Sequence, residues 1–193
     1  MKVLILGPRT DALVSIVRSS RDQVVEWEQP LTPASPILDG VQYLASYGYR
    51  HIIPASVLAM LPNRAINLHI SLLPWNRGSD PNLWSFLDDT PRGVTIHVLD
   101  AGLDTGPVLA QRPVDYEPED TLATSYQRLR ATTEDLFGEM WPRLRIDSVS
   151  SRPQVGKGTF HRLRDKEHYA HLLTDGWNTS VSGLIGAARG SHR

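Results

Sequence analysis

Asn67-Leu68-His69-Ile70-Ser71-Leu72-Leu73-Pro74 reads as a buried strand that begins near Ala65 and stops at Pro74, which has no N–H to donate to a sheet ladder. Side chains alternate along a strand, so Asn67, His69 and Ser71 share one face and Leu68, Ile70 and Leu72 the other. An amide, an imidazole and a hydroxyl are costly to bury without partners, and a catalytic cleft supplies such partners. Trp75-Asn76-Arg77-Gly78 should form a loop at the strand's carboxyl end, where open α/β sheets bind their ligands.

About thirty residues later Gly93-Val94-Thr95-Ile96-His97-Val98-Leu99 reads as a second strand, rich in β-branched residues. It runs into Asp100-Ala101-Gly102-Leu103-Asp104-Thr105-Gly106. The two glycines allow a sharp turn that pushes Asp104 toward the neighbouring strand end, bringing a carboxylate to the His69 imidazole. Each residue taken alone has an ordinary reading: His69 as a hydrogen-bonded core histidine, Asn67 as a cap for a backbone gap, Asp104 as a turn former. A metal site from His69, His97 and Asp104 lacks any ligand-spacing motif, and no metal is expected.

The rest of the chain reads as α/β. Strands are expected over 2–6 and 24–27 with a helix over 11–19 between them, then a helix over 38–46 and strands near 49–53, 65–71, 93–99 and 107–114. Pro54 suits the first turn of a short helix. A long helix should start at Asp120 or Thr121 and run to Trp141-Pro142, with Leu122, Tyr126, Leu129, Leu136 and Met140 recurring at helical spacing. At 193 residues the length suggests one domain with a substantial core. A net charge of −1 gives no electrostatic footprint for a nucleic acid. No apolar run reaches a membrane span, and the amino-terminal hexapeptide is too short for a secretory signal, so a cytoplasmic location is expected. The chain has no cysteine, which excludes disulfides and thiolate chemistry. A frayed tail is expected beyond Arg189.

The pattern Asn-x-His-x-Ser-Leu-Leu-Pro followed by Asp-x-Gly-x-Asp-Thr-Gly resembles that of the folate-dependent formyltransferases, and the resemblance is good from Tyr49 to Val114. It implies a three-layer Rossmann-like fold with a mostly parallel sheet and helices on both faces. Residues 1–150 would form the catalytic domain, with a shortened amino-terminal half, and 151–193 a hairpin arm and tail. The implied activity is transfer of a formyl group from 10-formyltetrahydrofolate to an amine, with Asn67, His69 and Asp104 as the catalytic trio. Asn67 and a charged His69 would donate to the developing oxyanion, a contribution of about 2.7–4 kcal/mol per donor. Asp104 would hold His69 charged or relay the amine proton through water.

The resemblance also assigns Arg50, His51, Ile52 and Val57, together with Leu99, Asp100 and Gly102, to the folate pocket. Trp75-Asn76-Arg77-Gly78 and the following Pro81-Asn82-Leu83-Trp84 resemble the loop of the amino-sugar formyltransferases. Ser71, Trp75, Asn76 and Arg77 are therefore expected to meet a nucleotide-linked amino sugar. Two other branches of the family fit less well. Gly7-Pro8-Arg9-Thr10-Asp11 lacks the glycine-rich phosphate loop of the glycinamide ribonucleotide enzyme, and the length leaves no room for the barrel of the methionyl-tRNA enzyme. The segment Gln154 to Arg162 resembles the tail of short sugar-type members, where Lys157, His161 and Arg162 either meet a phosphate or form a charged surface hairpin. A homodimer is implied as well. Two alternatives stay open: a 10-formyltetrahydrofolate hydrolase using the same trio, and a non-catalytic folate- or sugar-binding module.

Overall fold

The computed structural model describes residues 1–8 and 10–189. Arg9 and the tail expected beyond Arg189 lie outside the described residues. In chain order the elements are β1 (Lys2–Leu6), α1 (Asp11–Ser19), β2 (Gln23–Trp27), β3 (Tyr43–Tyr47), α2 (Ala55–Leu58), β4 (Ala65–His69), β5 (Arg77–Gly78), α3 (Pro81–Leu87), β6 (Gly93–Val98), β7 (Val108–Pro113), α4 (Leu122–Leu144) and β8 (Phe160–His161). Segments of 3-10 helix occupy Pro36–Leu38, Leu163–Leu172, Gly176–Asn178 and Val181–Gly183.

Six strands form one sheet in the order β2-β1-β3-β4-β6-β7. The first four are parallel, as expected for an α/β fold of this kind. The direction reverses at β6: the Leu99 N–H donates to the Ala65 carbonyl at the start of β4, and Asn67 faces His97 two residues along. The pair β6–β7 is antiparallel too, bracketed by Val98 N–H to Pro107 O and Val114 N–H to Arg92 O. Among the described residues no helix is long and apolar enough to cross a membrane.

The chain divides into two compact units. The first comprises Met1–His69, Ile96–Ala110 and Glu134–Gln154; the second comprises Ile70–Thr95, Gln111–Thr133 and Val155–Arg193. In the first unit the alternation of β1 and β3 sends residues to two faces. Leu4, Leu6 and Leu44 pack with Val57 and Leu61 around α2 and with Leu31 and Leu38. Tyr43, one position out of phase, meets Trp141 of α4 edge-on at 5.2 Å, and Gly138 of α4 lies over Ile16 of α1. Helical segments therefore cover both faces of these strands. Gly7, at φ +130°, has to be glycine: a β-carbon there would lie 1.9 Å from the Tyr47 carbonyl oxygen. Asp22 closes the unit's lower edge with a two-pronged pair to Arg145, Nε to Oδ2 at 2.8 Å and Nη2 to Oδ1 at 2.9 Å.

In the second unit α3 is buried from Asn82 to Leu87, and Leu83, Trp84, Phe86 and Leu87 form a core with Leu122, Val181, Leu184 and Ala188. Asn82, buried in α3, donates to Leu122 O and accepts from the Ser125 hydroxyl, tying α3 to the start of α4. The two-residue strands β5 and β8 pair in parallel.

Four local expectations change. The stretch expected as a helix over 38–46 is a 3-10 turn followed by β3, and residues 49–53 are not a strand. Leu38, Val41 and Leu44 recur at helical spacing only because a turn and a strand happen to abut. β3 lies between β1 and β4 with every residue buried, so it carries no alternation to reveal a strand. β4 ends at His69 rather than near residue 71, so Ser71 lies beyond the strand. α4 continues through Pro142 to Leu144.

Candidate active site

The loop after β6 sets the site. Asp100 folds it internally, its Oδ1 accepting from the Gly102 N–H at 3.1 Å and the Thr105 hydroxyl at 2.7 Å. Gly106 brings the chain back so close that a β-carbon there would lie 1.8 Å from the Val98 carbonyl oxygen. Between them Asp104 adopts φ +54°, a left-handed conformation that Asp tolerates better than most residues. This geometry turns its carboxylate onto β4 and β6. Oδ1 lies 3.2 Å from Asn67 Nδ2, 3.6 Å from His69 Nδ1 and 3.5 Å from His97 Nε2. The expected trio is thus brought together, with His69 7% and Asp104 8% exposed.

His97, only 1% exposed, is a fourth member that the sequence reading weighed only as a metal ligand. Its place in β6 directly across from Asn67 is the signal that identifies it, since cross-strand neighbours on one face touch. His97 Nδ1 lies 2.9 Å from the Val98 carbonyl oxygen, which can only accept, so Nδ1 carries a proton. When Nε2 is unprotonated it accepts from Asn67 Nδ2 at 3.3 Å. The second proton of that amide goes to Asp104 Oδ1. Turning the Asn67 amide round would set its carbonyl against the carboxylate, so this orientation is electrostatically fixed. Among the described residues no group of three or more His, Cys, Asp and Glu side chains is arranged to hold a metal ion.

The residues assigned to folate all lie in the same unit. Arg50 and His51 line a crevice of about 400 Å³ with Gly7, Pro8, Glu28, Gln29 and Tyr49, at the carboxyl ends of β1, β2 and β3. Beside them Ile52 is 88% exposed, a large aliphatic side chain left uncovered. Val57 is fully buried in the same apolar cluster against which Leu99 packs, so it supports the pocket wall from inside. Asp100 and Gly102 shape the loop that carries Asp104.

The residues expected to meet the acceptor lie in the second unit. Ser71 is buried and its hydroxyl donates to the Trp75 carbonyl. Asn76, 0% exposed, donates from Nδ2 to the Thr90 hydroxyl at 2.8 Å and accepts at Oδ1 from the Thr159 hydroxyl. It holds the loop together from within. Trp75 and Arg77 are half-buried, and Arg77 begins β5, whose partner strand is Phe160–His161. His161, expected to meet a phosphate or to sit in a surface hairpin, is instead internal: it stacks on Trp84 at 3.8 Å and pairs with Asp88 at 2.9 Å.

A family model described as formyl transferase matches residues 38–140, just over half the chain and the part that carries Asn67, His69, His97 and Asp104. The chain belongs to the formyl transferase family. Among its family relatives, a methionyl-tRNA formyltransferase from Thermodesulfovibrio yellowstonii is 32% identical over 148 residues, covering 75% of this chain and 46% of that protein. One from Desulforamulus reducens is 28% identical over 179 residues, covering 92% and 54%. The chain thus spans about half the length of the curated relatives it matches. A crystal structure of the formyltransferase PseJ from Anoxybacillus kamchatkensis, in complex with UDP-4,6-dideoxy-4-formamido-L-AltNAc and tetrahydrofolate, is 50% identical. It superposes with a TM-score of 0.95 over 98% of this chain and 100% of that one. A sugar N-formyltransferase from Shewanella sp. shares the fold at 22% identity and a TM-score of 0.80, covering 97% of this formyltransferase-family chain and 87% of its own.

Proposed function

We propose that this chain is a sugar N-formyltransferase, moving a formyl group from 10-formyltetrahydrofolate to the amine of a nucleotide-linked amino sugar. The observation that carries the reading is the convergence of Asn67, His69 and His97 on one oxygen of Asp104, a buried carboxylate among three polar partners. The likeness to PseJ along the whole chain supports a uridine-diphosphate sugar as the acceptor class.

When bound, the folate supplies the formyl carbon; the products are tetrahydrofolate and the N-formyl sugar. The chain's own residues have three tasks. His69 presents a ring N–H to the formyl oxygen as it becomes negative, held in place by Asp104 behind it. Asp104 receives the proton that the attacking amine gives up, directly or through water, and returns it to the departing nitrogen. Asn67 gives its second donor once the Asp104 carboxylate has shed charge by taking that proton. Arg50, His51 and Ile52, with the loop from Leu99 to Gly102, would hold the folate, the exposed aliphatic side chain suiting a flat ring. Trp75 and Arg77 would hold the sugar nucleotide, with Ser71 and Asn76 keeping their loop in shape. The reading includes a homodimer, which rests on the family resemblance, and a cytoplasmic location, which rests on the sequence expectation above.

Turnover of 10-formyltetrahydrofolate across a panel of nucleotide-linked amino sugars, with a water-only control, tests the proposal. Release of tetrahydrofolate that requires one acceptor supports it. Release in water alone indicates the hydrolase, and no release with any acceptor rejects the enzyme reading for this class.

A further inference from the structure

Asp104 reaches its three partners from a left-handed backbone, and the side-chain bonds made within its loop run from Asp100 to Gly102 and Thr105. A further hold comes from residues late in the chain of the same unit. After α4 the chain returns to β7, where Arg152 and Val108 exchange both backbone hydrogen bonds, Val108 N–H to Arg152 O at 2.7 Å and Arg152 N–H to Val108 O at 2.8 Å. Two residues on, the Gln154 side chain crosses the loop. Its Nε2 donates to the Asp104 carbonyl and to the Gly106 carbonyl, both at 2.8 Å. One amide nitrogen has two protons, and both are engaged by this one loop.

We propose that Gln154 is a positioning residue for Asp104. By fixing the carbonyls on either side of Thr105 it fixes the backbone from which the carboxylate projects, and through that the distances to Asn67, His69 and His97. An Asp side chain has only two rotatable bonds, so a backbone shift passes to Oδ1 almost undiminished. Gln154 lies outside the span that the family model matches, so the family pattern does not assign it. The kinetic part of the proposal rests on the formyltransferase reading above; the structural part stands without it.

The test uses the full chain with Gln154→Met, which keeps the length of the side chain and removes both donors, and Gln154→Lys, which keeps donors on a slightly longer stem. Hydrogen–deuterium exchange, read peptide by peptide, comes first and needs no activity. The expected result for the Met variant is exchange several-fold faster in the peptide spanning 101–107, with β1 and β3 unchanged; unaltered exchange there overturns the proposal. With the acceptor identified, the Met variant should lose on the order of 10- to 100-fold in kcat with the folate KM unchanged, and Lys should recover part of it. In an Asp104→Asn background the same Met substitution should cost little more, because its effect passes through that carboxylate. A full multiplicative loss in that background, or a wild-type kcat in the Met variant, overturns the positioning role. Absence of wild-type turnover with every acceptor would instead reject the activity, and the exchange result would still decide whether Gln154 holds the loop.

Discussion

Asp104→Asn isolates the charge at the centre of the site. Asparagine is nearly the same shape, tolerates φ +54° as aspartate does, and keeps an oxygen for the Asn67 amide; what it removes is the negative charge 3.6 Å from His69 Nδ1. At an effective dielectric constant of about 20, a unit charge pair at that separation attracts by about 4–5 kcal/mol. Lost from a transition state in which His69 donates as the imidazolium, this amounts to roughly a 10³-fold fall in kcat, and the loss of the oxygen that takes the amine's proton adds to it. The folate contacts assigned to Arg50, His51 and Ile52 are untouched, so binding of a stable folate analogue, measured by calorimetry, should stay within about threefold of wild type. The assay is single-turnover formyl transfer at saturating folate, with the melting temperature as a control for folding. A fall in kcat of less than about tenfold, or loss of analogue binding at an unchanged melting temperature, would refute the assigned role.

Asp22→Asn should lower stability by leaving Arg145 and the Met1 ammonium without their carboxylate partner, read as a shift in the urea midpoint. The Arg145 guanidinium holds the Asp22 carboxyl below its ordinary value of 3.8, against the opposing effect of burial. Its contribution is therefore complete above that value and is lost as the pH falls through the lower folded one, so wild type and variant should converge in strong acid. Trp141→Ala removes a fully buried ring packed on Tyr43 and Phe137 and should cost about 3–5 kcal/mol in chemical denaturation. Asn76→Ala strips two hydroxyls of their amide partner and places alanine, which lacks asparagine's tolerance of the left-handed region, at φ +56°; a loss of about 2–4 kcal/mol and a raised acceptor KM, with the folate KM unchanged, are expected.

The strand-and-loop logic around Asn67 and Asp104 was open to reading because it rests on strong local rules. Alternation put Asn67 and His69 on one face, and Gly102 and Gly106 marked the turn that presents Asp104; Pro74 did not mark the strand's end, which falls at His69. The fourth member, His97, was less visible because its role depends on which strand lies beside β4, a tertiary fact with no local mark. β3 escaped for a related reason: a strand buried on both faces loses the polar alternation that announces a strand. Asn76 and His161 show a third kind of difference. Polar residues in a loop with ligand-binding chemistry turned inward to satisfy Thr90, Thr159 and Asp88, and only packing decides whether such a side chain faces a ligand or its own chain.

The central claim is transfer of one carbon to a sugar amine. The measurement that meets it most directly is mass spectrometry of a uridine-diphosphate 4-amino sugar after incubation with this chain and 10-formyltetrahydrofolate labelled with carbon-13 in the formyl group. The account predicts the label on the sugar nitrogen, dependent on Asp104. Label recovered only as free formate, at the same rate with and without the sugar, would contradict it.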